Sequence, residues 1–278
     1  MESWMGKTAV VTGAGSGLGA AMAAVFAGEG MNVVALDIDE PRAAATATTL
    51  RAGGSRAISA GVDVADADSL RAAADLTRHE LGSCDILCAN VGVQQFGAID
   101  RLTDDDWEWV LSVNVLGMVR TVREFLPLLR DASGERHVVL TSSSGYFVPG
   151  VRLGAYVTSK YAVVGFGETL RMELAPEGIG VTILFPAGME SRHLESSARA
   201  RPAALGESVM LPDDIEAMMA SRDMETASHV ATPEHAVRNL ARDLRADRAY
   251  SITHGTYRDA LVRRQDEALA AFDRMQEG

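Results

Sequence analysis

The chain has 278 residues, 47% hydrophobic and 23% charged, with a net charge of −12. That balance suits a globular chain with a large core and argues against nucleic acid or an anionic membrane as partner, since both reward a basic face. Cys84 and Cys88 lie in an apolar stretch as small buried hydrophobes; without a second pair they complete neither a zinc site nor a disulfide framework, and no metal site is expected.

In chain order, residues 8–12 (TAVVT) read as a strand and residues 18–29 as an Ala-rich helix. Residues 32–36 (NVVAL) are a second strand, followed by a helix over 40–52. Residues 56–62 and 85–89 (DILCA) are strands with a helix between them. Thr103 and Asp106 form a capping box that opens one long helix through Leu129. Residues 137–141 (HVVLT) are a strand, 155–173 a helix and 181–185 (VTILF) a strand. Thr232 and Pro233 read as the N-cap and first position of a late helix, and residues 249–253 as the last strand.

Short Val/Ile/Leu runs alternating with helices predict a parallel sheet covered on both faces. The expected fold is therefore a doubly wound α/β Rossmann fold, one domain over residues 1–278 with about seven parallel strands. Residues 189–230 break the rhythm; they are polar and Ala-rich and carry Met210, Met218, Met219 and Met224. They read as a mobile lid over a substrate site, with a peripheral helical pair as the alternative. Residues 255–278 read as an amphipathic tail that covers the site or joins a subunit interface. The first strand begins too early for a signal peptide, and no apolar run approaches membrane-spanning length, so a soluble cytoplasmic protein is expected.

The segment Thr12-Gly13-Ala14-Gly15-Ser16-Gly17-Leu18-Gly19 ends the first strand and opens the first helix. Glycines there let backbone approach phosphate oxygens, and the helix offers free N–H groups and its positive dipole end. The spacing differs from the commonest dinucleotide fingerprint, although Gly15-x-Gly17-x-x-Ala20 fits a looser form. Asp37 ends the second strand, where an adenosine ribose would lie. Its carboxylate would accept bonds from both ribose hydroxyls and repel a 2′-phosphate; Asp39 adds to the repulsion and Ser16 brings no cation, so NAD(H) is expected over NADP(H). Asp63 and Val64, after the third strand, are candidates to hold adenine, though Asp is also a common turn residue. Tyr156-Val157-Thr158-Ser159-Lys160 sets a phenol and an ammonium on one helix face, after the run Ser142, Ser143, Ser144. Together these parts describe a site that moves a hydride and a proton.

These pieces, with Ala89-Asn90-Val91-Gly92, Asn114 and Pro186 to Ser191, resemble the short-chain dehydrogenase/reductase family in its ordinary, non-extended branch, over residues 7–255. The resemblance implies that Tyr156 is the acid/base, its phenol drawn from ~10 toward neutrality by Lys160 and a positive nicotinamide ring. It further implies that Lys160 binds the nicotinamide ribose, that Ser143 bonds the substrate oxygen, and that Asn114 holds a water beside Lys160. Cofactor contacts are expected from Gly13, Gly15, Ser16, Gly17, Leu18, Gly19, Asp37, Asp63, Val64, Asn90, Val91, Gly92, Tyr156, Lys160, Pro186, Gly188 and Ser191. The family's spacing from serine to tyrosine selects Ser143; a one-residue insertion would select Ser142. Val91 and the Pro186-Ala187-Gly188 turn depart from the family's usual Asn-Asn-Ala-Gly and Pro-Gly.

On the substrate side, Phe96, Tyr146, Phe147 and Met189 join Ser143 and Tyr156 as candidates, with Gln94 and Gln95 nearby. This apolar, Met-rich set suits a bulky aromatic or alicyclic secondary alcohol or its ketone. Residues 186–202 resemble the lid of aryl-alcohol Cα-dehydrogenases acting on lignin-derived aromatics; hydroxysteroids and other bulky alcohols stay open. His193 and His254 read as solvated or capping, and Arg192, Arg199 and Arg201 as a local basic patch. The resemblance implies a homo-tetramer or homo-dimer. Two other readings are a catalytically silent cofactor-binding regulator and a carrier-linked 3-oxoacyl reductase; the intact Tyr/Lys pair disfavours the first, the acidic balance the second.

Overall fold

The computed structural model describes residues 3–190, 192–208, 210–221 and 230–276. The apolar runs become the strands β1 (Thr8–Thr12), β2 (Asn32–Asp37), β3 (Ala57–Gly61), β4 (Ile86–Ala89), β5 (Arg136–Thr141), β6 (Ile179–Phe185) and β7 (Tyr250–Ile252). They form one seven-stranded parallel sheet in the order β3-β2-β1-β4-β5-β6-β7. Every residue of β1 and β4 is buried, because helices cover both faces of a parallel sheet. The order reverses between β1 and β4, which opens a crevice at their carboxyl ends.

Successive strand residues feed opposite faces of the sheet. On one face Val10, Leu87, Val138 and Leu140 pack with Trp109, Val122, Phe125 and Leu129. On the other, Val11, Val33, Cys88 and Leu184 pack with Trp4, Met22, Phe26 and Leu240. Helices α1 (Gly17–Gly28), α2 (Glu40–Ala52) and α3 (Ala67–Leu81) follow β1, β2 and β3. Both cysteine thiols are fully buried and pushed up by that burial, which keeps them protonated and inert.

The helix expected as one piece from Thr103 to Leu129 is divided. It comprises α4 (Asp104–Leu111), a π-turn (Ser112–Leu116) and α5 (Gly117–Asp131). The capping box forms: Thr103 Oγ1 accepts from the Asp106 N–H at 3.2 Å, and the Asp106 carboxylate from the Thr103 N–H at 2.9 Å. The wider turn centres on Asn114, whose side chain it sets inside the protein with none of its surface exposed.

After β5 come α6 (Gly154–Leu174) and β6; the described residues between 189 and 230 lie outside the sheet. The insertion closes on itself at its base, where Ala231 N–H donates to the Gly188 carbonyl and Glu190 N–H to the Ala231 carbonyl, both at 3.0 Å. It contributes α7 (His193–Ala200) and α8 (Pro212–Ser221); Met224 lies outside the described residues. Ion pairs dock it on the body. Arg201 meets Asp106 at 2.7 Å, and the buried Asp214 meets Arg101 and Arg152. Arg201 is thus spent inside the protein rather than in a surface basic patch. Helices α9 (Pro233–Val237) and α10 (Leu240–Arg245) lead to β7, with Thr232 capping α9 as expected. The tail is α11 (Arg258–Gln276): Tyr257 and Leu261 pack on the Phe147/Phe185 cluster, whereas Leu269, Phe272 and Met275 are exposed. Among the described residues no helix is long and apolar enough to cross a membrane.

His137 on β5 is buried and shares a 2.7 Å hydrogen bond with Thr182 Oγ1. Burial pushes its imidazole down to about 4. The unfolded imidazole, near 6.5, binds protons that the folded one refuses, so stability is lost as pH falls from about 6.5 to about 4. His137→Gln is expected to lessen that loss by on the order of 2 kcal/mol. Urea unfolding at about pH 7 and about pH 4.5 checks this, and an equal fall in both proteins would refute it.

Candidate active site

Tyr156 and Lys160 stand one turn apart on α6, beside the carboxyl end of β5. Lys160 is buried, and its Nζ donates to the Thr141 carbonyl at 3.0 Å. Burial pushes this ammonium down to about 8, and Nζ lies 5.6 Å from the centre of the Tyr156 ring. Gly92 makes the placement possible, since a Cβ there would sit 3.1 Å from Nζ. At neutral pH the lysine is still protonated.

Burial raises Tyr156 above its ordinary value, and a side-chain hydrogen bond with Ser143 only partly opposes this. The implied fall toward neutrality is not produced by these side chains, because loss of hydration outweighs the one bond that favours phenolate.

The two serines are separated by their partners. Ser142 Oγ donates to the Lys160 carbonyl at 2.9 Å, buried against α6. Ser143 faces the phenol, and its Oγ accepts from the Gly145 N–H at 3.1 Å. That contact uses an acceptor position of Ser143 Oγ and leaves its hydroxyl proton for the Tyr156 oxygen or a ligand oxygen.

Asn114 is committed to structure. Its Oδ1 accepts from the Val93 N–H at 2.7 Å, and its Nδ2 donates to the Val93 carbonyl at 2.8 Å and to Ser159 Oγ at 2.9 Å. Ser159 in turn donates to the Tyr156 carbonyl at 2.6 Å. The π-turn, the loop after β4 and the first turns of α6 are thereby tied together; Ser159, which sequence reasoning left unassigned, is the link. Asn90 is a second tie. Its N–H reaches Thr12 Oγ1 and its Nδ2 the Thr12 carbonyl, while its Oδ1 accepts from Thr141 Oγ1. It joins the carboxyl ends of β1, β4 and β5 at the crevice.

At the nucleotide end, Gly13, Ser16, Gly17, Leu18, Gly19, Asp37, Asp63, Val64, Asn90, Val91 and Gly92 line one continuous cleft with Ser143, Tyr156, Lys160, Pro186, Gly188, Met189 and Phe96. The cleft measures about 1190 Å³, above the roughly 300–1,000 Å³ of a single small-ligand pocket. Asp37 is held by two backbone donors, the N–H of Gly15 at 2.8 Å and of Asp39 at 3.0 Å. Gly15 therefore does not line the cleft as expected; it turns its N–H inward and fixes the carboxylate. Gly19 packs so closely on the turn that a Cβ would lie 2.0 Å from the Gly13 carbonyl oxygen. These features fit a dinucleotide: a diphosphate at the start of α1 and a ribose on Asp37. Asp63 accepts from the Ala65 N–H at 2.8 Å, so its carboxylate also serves its own turn. Ser191 lies outside the described residues. Two cations stand beside Asp39, namely Arg42, unremarked in the sequence, at 3.1 Å and Arg199 of α7 at 3.7 Å.

Two expected substrate contacts turn away. Tyr146 packs on Tyr161 with ring centres 4.9 Å apart, and Phe147 on Phe185 at 4.7 Å. The short turn Ser144–Tyr146 aims both rings at the apolar surface of Val164 and Ile183, which gains more from covering them than the cleft would. The opposite correction applies to His193. It is half-buried rather than fully solvated, is not the N-cap of α7, and lines the cleft, its ring centre 6.2 Å from that of Tyr156. His254 stays outside and bonds Thr253 Oγ1.

A family model described as short chain dehydrogenase matches residues 7–202. The chain belongs to that family. This short-chain dehydrogenase is 28% identical over 262 residues to a C alpha-dehydrogenase of a Sphingobium species, covering 94% of this chain and 85% of that one. It is 37% identical over 191 residues to the "Probable oxidoreductase EphD" of Mycobacterium tuberculosis, spanning 68% of this chain but 32% of that longer protein. Its structure matches that of a short chain dehydrogenase/reductase from Burkholderia phymatum in complex with NAD, with a TM-score of 0.87, 31% identity and 97% of each chain covered.

Gly19→Ala in this short-chain dehydrogenase must push α1 away from the Gly13 turn. The expected cost is about 1–3 kcal/mol of stability, together with weakened NADH binding, read by urea unfolding and by NADH fluorescence titration. Unchanged values of both would contradict the close packing.

Proposed function

We propose that the chain is an NAD(H)-dependent oxidoreductase that interconverts a bulky, aromatic or alicyclic secondary alcohol and its ketone, with Tyr156 as acid/base. The observation that carries this reading is the meeting of Ser143, Tyr156 and the buried Lys160 in one cleft with the glycine turn and Asp37. Bound NAD would supply the hydride acceptor and a positive ring charge beside the phenol. In oxidation, Tyr156 takes the alcohol proton as the C–H electron pair leaves with hydrogen. Ser143 bonds the same oxygen and holds the charge that develops on it. Lys160, protonated throughout, keeps a positive charge near the phenolate, and Asn114 holds the loop and helix turn around it.

NAD is favoured over NADP because Asp37 points a fixed carboxylate at the ribose position, where a 2′-phosphate would be repelled. Arg42 does not reverse this, since its charge is already matched by Asp39 at 3.1 Å. The bulky, apolar substrate is supported by the Phe96, Val148, Leu153, Met189, Leu194 and Met218 side of the cleft, and by the likeness to a C alpha-dehydrogenase.

The test is NADH formation from secondary alcohols graded by size and aromaticity. Aryl and alicyclic alcohols are expected to outrun short aliphatic ones, and Tyr156→Phe to lose ~10²–10⁴ in kcat; an undiminished Tyr156→Phe rate would refute the mechanism. Exchanging Ser143 for Ala should cost ~10²–10³ in kcat, whereas Ser142→Ala should act on stability. Replacing Asp37 with Ser should shrink the NAD-over-NADP ratio of kcat/KM at least about tenfold, and an unmoved ratio would remove Asp37 as the discriminator.

A further inference from the structure

His193 is the first residue of α7, and its position is set by a buried serine. Ser197 Oγ donates to the His193 carbonyl at 2.7 Å and accepts from the Gln94 N–H at 3.1 Å. Ser197 is 2% exposed, so the first turn of α7 is pinned to the loop after β4. The insertion thus carries this imidazole to the catalytic wall rather than hanging over it loosely.

The ring stands 6.2 Å from Tyr156, centre to centre, tilted by 58°. Among the described residues its nitrogens have no hydrogen-bond partner. Met189, Leu194 and Tyr257 line the same cleft. A polar ring left open in a largely apolar wall calls for a partner from the ligand, because an unmet donor or acceptor is costly once the ligand excludes water. Removal from solvent and the Lys160 ammonium push the imidazole down to about 4. At neutral pH it therefore carries one N–H donor and one nitrogen acceptor, and no charge.

We propose that His193 binds a second oxygen of the substrate, a hydroxyl or ether oxygen on a carbon close to the one oxidised, so that the site selects alcohols carrying paired oxygens. The inference rests on the alcohol dehydrogenase reading above and deepens it. With the first oxygen on Tyr156 and Ser143, the neighbouring imidazole meets the part of the substrate that adjoins the carbon oxidised. A donor and an acceptor on one ring admit a hydroxyl in either sense, and an ether through the N–H.

The experiment compares kcat and KM for 1-phenylethanol and 1-phenyl-1,2-ethanediol in wild type, His193→Leu and His193→Gln, with thermal unfolding to verify the fold. His193→Leu should lose about tenfold more in kcat/KM on the diol than on 1-phenylethanol, mainly through KM. His193→Gln keeps a donor and an acceptor and should recover part of the diol rate. Equal losses on both alcohols, or no loss on the diol, would overturn the role of His193 while leaving the dehydrogenase reading in place. A wild type inert toward both alcohols would instead fail that reading, and this inference with it.

Discussion

A cation held out of water organises this protein's site. Lys160 gives up nearly all hydration and receives one backbone carbonyl, that of Thr141, in direct exchange. Desolvation of an ammonium costs several kcal/mol even after relaxation, and the loss appears as a proton affinity lowered to about 8. Such a group persists only where the surroundings are over-determined. Here Gly92 leaves room for it, Ser142 fixes the carbonyl of Lys160 itself, and Asn114 with Ser159 anchors the preceding turn of α6. Each of these contacts would be idle if Lys160 were merely a surface residue.

The phenol beside it is tuned the other way, raised by burial. Lysine and tyrosine thus do not form a self-sufficient base. Ser143 lowers the phenol somewhat but does not offset the burial. The nucleotide end obeys the same economy of charge: Asp37 is steadied by two backbone N–H groups, and Asp39 is neutralised by Arg42 and approached by Arg199 of the insertion. The insertion therefore meets both ends of the cleft, with Arg199 at one and His193 at the other.

Much of this was legible in the residues, for definable reasons. The strands follow from runs of β-branched residues such as those over 8–12 and 137–141, and the glycine turn from the need for bare backbone at the start of α1. Tyr156 and Lys160 share a helix face by their spacing, which gains meaning only beside the serine run and the glycine turn, and Ser143 follows from the family resemblance. What was not legible depended on how side chains pack. No local signal marks the π-turn at Ser112–Leu116, because Asn114 creates it through contacts to Val93 and Ser159 far along the chain. Tyr146 and Phe147 looked like substrate contacts by position alone, yet their apolar area is better spent on Phe185. Gly15 was assigned to phosphate, but its N–H faces Asp37. His193 was passed over because an isolated histidine after a loop carries no spacing cue, and only the folded insertion brings it to Tyr156.

The central claim is that the buried ammonium eases formation of the phenolate, which burial alone opposes. The pH profile of alcohol oxidation at saturating NAD, for wild type and Lys160→Met, measures this directly. Without the neighbouring charge the phenolate is harder to form, so the midpoint of the rising limb should move up by at least about one pH unit. A midpoint that stays where it is would contradict the account.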